Sequence, residues 1–296
     1  MTKKSCLVVG SLSQIGSWLV PRLVTGGWSA HLISRGISPR EDYGPSASWR
    51  SFDLTRLDQP FPDVSAGVLF HTAGIGTILP WLGRIKESGC SRVIAFSSTS
   101  LLTKAKSDSA VELDAIARLA ASEQAFVENA DRFGLAWTIF RPTMIYGGKF
   151  GDRTVMDIAR VIRKLGFFPI CGKGSGLRQP VHASDLAMAC LQAVDSSSTF
   201  NRTYNLGGSE RLTYRHMVER IFAAMNRVPR FIPIPLAGFE LAVRFANLHP
   251  RYRHLTSSMA KRMNQDMIFS NEAAAAAFGF SPRGFVPHLS QFNSAL

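Results

Sequence analysis

The sequence is short of acid. Against 34 lysines and arginines it sets 21 aspartates and glutamates, a formal net charge of +13 at pH 7. The basic residues are mostly scattered arginines, with no block of like charge and no nucleic-acid motif, so a nucleic-acid partner is not expected. Anionic small molecules suit the charge, and so does peripheral contact with an anionic membrane surface. Cysteine is scarce too. Cys6, Cys90, Cys171 and Cys190 form no C-x-x-C pair and have no histidine cluster nearby, which argues against a metal site and for a reduced, cytoplasmic protein. No apolar run is long enough to span a membrane: Gly67 to Gly83 carries His71 and Pro80, and Phe231 to Leu248 carries Glu240, Arg244 and two prolines. Met1 to Gly10 places two lysines before a few apolar residues, too few for a signal peptide, and reads as a first strand.

What is present is a core. With 46% hydrophobic residues in 296, the chain can bury one large domain or two unequal ones. Its first half alternates short β-rich runs with helix-length segments. Candidate strands are Cys6 to Val9, Ala30 to Ser34, Gly67 to His71, Arg92 to Ser97 and Ala136 to Arg141. Near-continuous apolar runs such as Val93-Ile94-Ala95-Phe96 suit strands buried on both faces of a parallel sheet. The expected fold is therefore α/β, a Rossmann doubly wound parallel sheet. After the first strand, Ile15, Leu19 and Leu23 lie four apart on one helix face, the helix ends at Gly26-Gly27, and Pro21 should bend it. After Arg141 the pattern changes to a helix from Thr154 to Leu165, a Gly-rich stretch from Gly172 to Gly176, and late helices, one of them Glu272 to Phe278 with Ser270 as N-cap and Gly279 as stop. This divides the chain into a dinucleotide-binding domain over residues 1–205, with an excursion near 147–177, and a smaller, mostly helical substrate lobe over 206–296.

The stretch from Gly10 to Gly16 follows the first strand and opens the first helix, and that context gives its glycines meaning. Gly10 permits a tight turn and Gly16 close packing of helix on strand. The amides of Gln14 and Ile15 stand where a helix start holds a pyrophosphate. At the end of the second strand the acid that would accept from an NAD ribose is absent; Ser34-Arg35 stands there instead. A guanidinium fork suits a 2′-phosphate, so NADP is the expected cofactor and NAD the alternative.

These strings fall in an order similar to the extended short-chain dehydrogenase/reductase superfamily, in particular its NAD(P)-dependent epimerase/dehydratase family. Gly10-Ser11-Leu12-Ser13-Gln14-Ile15-Gly16 resembles the G-x-x-G-x-x-G motif, with Ser13 in place of the middle glycine. Asp53-Leu54 resembles the adenine-contacting pair, Thr72-Ala73-Gly74 the segment beneath the cofactor, and Ser97-Ser98-Thr99 the serine-rich end of the fourth strand. Arg141-Pro142-Thr143-Met144-Ile145-Tyr146-Gly147 is similar to R-P-x-x-x-Y-G, and Arg178 through Ala187 to R-x-x-V-H-x-x-D-x-A. Phe278-Gly279-Phe280-Ser281-Pro282 looks like the family's closing Gly-Phe-x-Pro. The resemblance implies cofactor contacts from Gly10, Ser13 to Gly16, Ser34, Arg35, Asp53, Leu54, Thr72 to Gly74 and Ser97. It implies substrate contacts from Thr99, Tyr146 and Arg178, with Arg178 on the diphosphate of a nucleotide sugar. The competing reading of Arg178 is an ion pair with Asp185. His182 and Asp185 read as structural. A homodimer is common among relatives and is expected here on the same ground.

One part of the family pattern is missing. Family chemistry uses a Tyr-x-x-x-Lys pair one helical turn apart, the lysine lowering the tyrosine pKa. Aligned on Ser122-Glu123, those positions are Ala115 and Leu119, and no lysine in the chain has a tyrosine four residues before it. Glu112 to Val127 reads instead as an Ala-rich helix packing through Ile116, Leu119 and Ala120. Thr99 alone is no acid–base catalyst, and Asp114, Glu112, Tyr146 and Lys149 are the substitutes within reach. Two functions follow: an atypical NADP-dependent reductase or epimerase acting on a nucleotide-linked or lipid-linked sugar, or a non-catalytic dinucleotide-sensing or scaffold protein.

Overall fold

The computed structural model describes residues 4–36, 43–149, 153–246 and 257–288. The chain begins with Ser5–Val9 (β1), Gly16–Thr25 (α1), Ser29–Ser34 (β2) and Ala47–Ser51 (β3). It continues through Val68–His71 (β4), Leu82–Glu87 (α2), Arg92–Phe96 (β5), Ser100–Thr103 (α3), Ala110–Arg132 (α4) and Ala136–Pro142 (β6). Next come Ile145–Tyr146 (β7), Arg153–Leu165 (α5), Phe168–Cys171 (β8), Leu177–Arg178 (β9), Val181–His182 (β10), Ala183–Val194 (α6) and Arg202–Leu206 (β11). The last described elements are Leu212–Thr213 (β12), Tyr214–Ala224 (α7), Phe231–Ile234 (β13), Leu236–Ala246 (α8), Ser257–Arg262 (α9) and Glu272–Phe278 (α10).

Seven strands form one parallel sheet in the order β11-β6-β5-β4-β1-β2-β3. The order reverses beside β1, and in such sheets ligands bind outside the carboxyl ends of the strands at that switch. Alternation along the strands fills both faces. Val8, Phe70, Ile94 and Phe140 meet α1, α6 and α10 on one side. Leu7, Leu69, Val93 and Ile139 meet Leu82, Ile85, Phe126 and Ala130 on the other. A separate cluster, including Val155, Ile162, Ile170, Met217, Phe222 and Met263, builds the second lobe. The chain returns from that lobe to the sheet at α10, whose Phe278 packs with Phe140 and Tyr204.

Local details follow from local chemistry. The face of α1 carrying Leu19 and Leu23 is fully buried, and Pro21 lies inside the helix. The start of α10 differs from the sequence expectation by one residue. Asn271 is the cap, and its side chain turns away to Gly207, accepting its N–H at 2.9 Å. Ser270 still serves the helix, its Oγ accepting the Glu272 N–H at 3.1 Å. The strand β3 escaped the sequence pattern because Ala47-Ser48-Trp49-Arg50-Ser51 is a half-exposed edge with no apolar run. In α4, Ala120 is exposed, not packed, and Ala115 beside it is exposed too. Burial in this helix is confined to its second half, at Glu123, Phe126 and Ala130.

Candidate functional site

The loop after β1 turns at Gly10, whose φ of 77° is a left-handed value that glycine adopts without cost. Six residues on, a Cβ at Gly16 would stand 2.3 Å from the Gly10 carbonyl oxygen, so the helix start can lie against the strand only with glycine there. Ser13, where relatives of this pattern carry glycine, has a definite job. Its Oγ accepts the Gly16 N–H at 3.0 Å and shares a hydrogen bond of 2.8 Å with Thr72 Oγ1. The Thr72 hydroxyl also lies 2.8 Å from the Gly10 carbonyl oxygen, as a donor. Serine therefore fastens the loop to the end of β4 and uses up the Gly16 amide. The amides of Leu12, Gln14 and Ile15 donate to no protein atom among the described residues, and three convergent donors at a helix start are what a pyrophosphate needs.

Two hollows meet at this loop. A crevice of about 490 Å³ is lined by Gly10, Ser13, Ser34, Arg35, Asp53, Leu54, Ala73 and Gly74, together with Leu12, Phe52, Thr55 and Thr77. Its floor is apolar, from Val9, Ile33, Phe52 and Leu54, and its rim carries exposed Arg35. Asp53 accepts from the Thr55 hydroxyl at 2.7 Å and the Thr55 N–H at 3.0 Å. Those bonds, aided by the charge of Arg35, hold its carboxyl below the usual range. Thr72 lies beneath the crevice, buried against Val9 and Gly10.

Beyond Gln14 a larger cavity of about 650 Å³ runs between the sheet and the second lobe, with Ser97, Thr99 and Arg178 in its wall. Gln14 Nε2 and Ser97 Oγ are buried with no hydrogen-bond partner among the described residues, the condition of groups shaped to meet a ligand. Thr99 Oγ1 donates to the Pro142 carbonyl at 3.0 Å, so its proton is engaged and a lone pair remains. Arg178 is neither a free fork nor a partner of Asp185. Its guanidinium donates to the carbonyls of Leu177 and Gln265 at 2.9 and 2.8 Å and to that of Arg262, over the Tyr214 ring. Asp185 is taken by Arg283, whose Nε is 2.8 Å away. Tyr146 falls outside both hollows. Its ring is fully buried, its hydroxyl donates to the Gly284 carbonyl at 2.8 Å, and burial pushes its pKa up to about 12, so it is a poor proton donor. His182 caps α6, its Nδ1 accepting the Ser184 N–H at 3.0 Å.

The two positions read from the sequence as the relay pair line neither hollow. Ala115 is exposed and Leu119 packs against the cluster under α4. Of the substitutes, Asp114 pairs with Arg118 on the surface. Glu112 is held bidentate by Arg262 at 2.6 and 2.8 Å. Burial acts to raise the Glu112 pKa, but hydrogen bonds from Arg262 and Ser107 outweigh it and bring the value to about 2.

A dinucleotide fits what is present: three unpaired amides, a glycine that a Cβ would displace, an apolar adenosine-sized floor, and unpaired polar groups toward the second hollow. Residues 79–207 match the NAD dependent epimerase/dehydratase family. The matched stretch is less than half of the chain. The fold of the chain is shared with solved nucleotide-sugar epimerases. The UDP-glucose 4-epimerase of Thermus thermophilus, in complex with NAD, superposes with a TM-score of 0.67 over 99% of this chain and 100% of that one, at 18% identity. The UDP-glucose 4-epimerase of Thermotoga maritima, with UDP-glucose, gives 0.63 over 97% and 96%, at 15% identity. A curated relative is 32% identical over 156 residues, 51% of this chain: NADH dehydrogenase [ubiquinone] 1 alpha subcomplex subunit 9, mitochondrial, of Arabidopsis thaliana. The chain spans 38% of the length of the curated relatives it matches. Among the described residues no helix is long and apolar enough to cross a membrane.

In this chain, motif reading found the crevice residues through glycines and strand ends. It missed Phe52 and Thr55, which flank the motif pair, and most of the second-lobe wall. Four methionines, Met144, Met259, Met263 and Met267, line the larger cavity, and the spacing of Met259, Met263 and Met267 was the one signal available for it.

Proposed function

We propose that this epimerase/dehydratase-like chain binds NADP(H) with the adenosine end in the smaller crevice and the nicotinamide end toward Gln14 and Ser97, and that it holds a small molecule in the adjoining cavity. The observation that carries this reading is the meeting of the two hollows at Ser13 and Gln14, outside the carboxyl ends of β1 and β4. The amides of Leu12, Gln14 and Ile15 would hold the pyrophosphate, and Arg35 the 2′-phosphate. Solved relatives with NAD or UDP-glucose bound support a dinucleotide and a second small ligand as the pair. The cofactor, when bound, supplies hydride chemistry. In this site Ser97 and Gln14 orient the partner, Thr99 accepts a hydrogen bond from it, and the proton comes from the partner itself or from water.

A second reading has its own support. Ala115 is exposed, Leu119 is packed away, and neither lines a hollow, which favours a site without the relay pair. One curated relative is named as a respiratory-complex subunit. In that reading the dinucleotide is retained as a sensed or structural ligand without turnover.

Fluorescence titration with NADPH and NADH, followed by turnover assays, separates the two. Binding without turnover of any offered substrate selects the second. Arg35→Asp should reverse the preference for NADPH over NADH by at least about tenfold, since it replaces a phosphate partner by a repelling carboxylate. An unchanged preference would remove Arg35 from the site.

A further inference from the structure

The larger cavity has two unlike ends. At the sheet end lie the unpartnered Gln14 Nε2 and Ser97 Oγ. At the lobe end the wall is apolar, with Met144, Met259, Met263, Met267, Phe239 and Val161 in it. Four of the chain's nine methionines are gathered here, and unbranched thioether side chains make a surface that adapts to flexible apolar ligands. At about 650 Å³ the cavity lies well inside the range of small-ligand sites, about 300–1,000 Å³.

Among the described residues, the charged groups of the wall are all engaged. Arg262 is forked on Glu112, and Lys104 stands 3.5 Å from the same carboxylate. Asp157 pairs with Arg160 at 2.7 Å, and Arg178 is spent on three carbonyls. A diphosphate could gain the guanidinium of Arg178 or Arg262 only by stripping backbone or carboxylate partners from it, which leaves buried groups unpaired. An uncharged hydrogen-bonding head meets Gln14 and Ser97 at no such cost, and an apolar chain gains by leaving water against the methionines.

We propose that the cavity takes a neutral amphiphile: an alkyl or prenyl chain on the order of ten carbons, matched to a small-ligand cavity, carrying an uncharged hydroxyl or carbonyl head that faces the nicotinamide end. The assignment builds on the proposed cofactor reading only in naming what lies beside the head.

The test uses the full chain and a dansyl-labelled C11 primary alcohol as the probe, titrated with and without NADPH, with unlabelled 1-decanol and UDP-glucose as competitors. The expected result is saturable, one-to-one probe binding with a blue-shifted emission, displaced by 1-decanol and not by UDP-glucose at equal concentration. Met259→Glu, which sets a carboxylate in the apolar wall, should weaken the probe about tenfold or more while the NADPH titration is unchanged, and Ser97→Ala should weaken 1-decanol. Equal or better displacement by UDP-glucose, or no saturable probe binding, overturns the proposal, and the wild-type competition decides this whatever the variants do. Probe binding in a chain that fails to bind NADPH would overturn the cofactor reading and leave this one standing.

Discussion

The Gly16 α-carbon stands against the Gly10 carbonyl, and the nearest atoms to a Cβ built there, at 2.3 to 2.8 Å, all belong to backbone. No side-chain rotation relieves that contact. Gly16→Ala should therefore push the helix start away from β1, costing roughly 2–3 kcal/mol in urea unfolding and weakening NADPH by about tenfold or more through misplacement of the amides of Gln14 and Ile15. A variant that kept both stability and affinity would show that the loop does not grip the phosphates. The same residues show what the sequence made legible. Gly10 and Gly16 declare themselves because only glycine tolerates those backbone positions, and a motif records that constraint. Ser13 could be read as a departure, but its bond to Thr72 joins it to a residue 59 positions away. Arg178 was legible as a charge and not as a contact: two of the three carbonyls it serves belong to residues 84 and 87 positions later.

Helix α4 shows the same limit at the scale of an element. Its existence was legible from composition, since alanine, leucine and glutamate favour helix wherever the chain goes. Its packing was not, because the first turns leave Val111 75% exposed and are tied to the second lobe by a charged contact. That contact joins Glu112 to Arg262 on α9, with side chains 12% and 11% exposed, and Ser107 adds a bond of 2.6 Å. Glu112→Gln leaves a nearly buried guanidinium without its carboxylate. The expected loss is about 3 kcal/mol of unfolding free energy, together with faster amide exchange in α9 and in the start of α4. An exchange pattern unchanged in α9 would mean that the two helices are held by something else. Strand β3 is the complementary case. Its edge position spares it an apolar run, so only the register with β2, Ala30 to Ala47 through Ser34 to Ser51, reveals it.

For the molecule as a whole, acid should undo the fold in two stages with opposite chemistry and the same sign. His71 is fully buried at the end of β4, and desolvation lowers its pKa from 6.5 to about 4. His182 is buried at the cap of α6, where desolvation, then the charge of Arg283, brings it likewise to about 4. A histidine depressed in the folded state leaves stability intact above about 6.5. Stability falls as pH drops from there toward 4, because only the unfolded chain takes the proton. Glu112 acts next: its folded value of about 2 against 4.5 gives stability that is present above 4.5 and lost toward 2. Urea unfolding at a series of pH values should thus show a slope approaching about 1.4 kcal/mol per pH unit for each histidine between pH 6 and 4. His71→Phe keeps an apolar ring in the same space and removes one of the two protons, so the slope between pH 6 and 5 should fall by about half. The loss of the Nε2 contact with the Gly74 carbonyl at 3.0 Å lowers the whole curve without tilting it. A variant that shifts the curve down but leaves its slope at the wild-type value would mean that His71 is protonated or solvated in the folded protein, and that the end of β4 beneath the crevice is open to water.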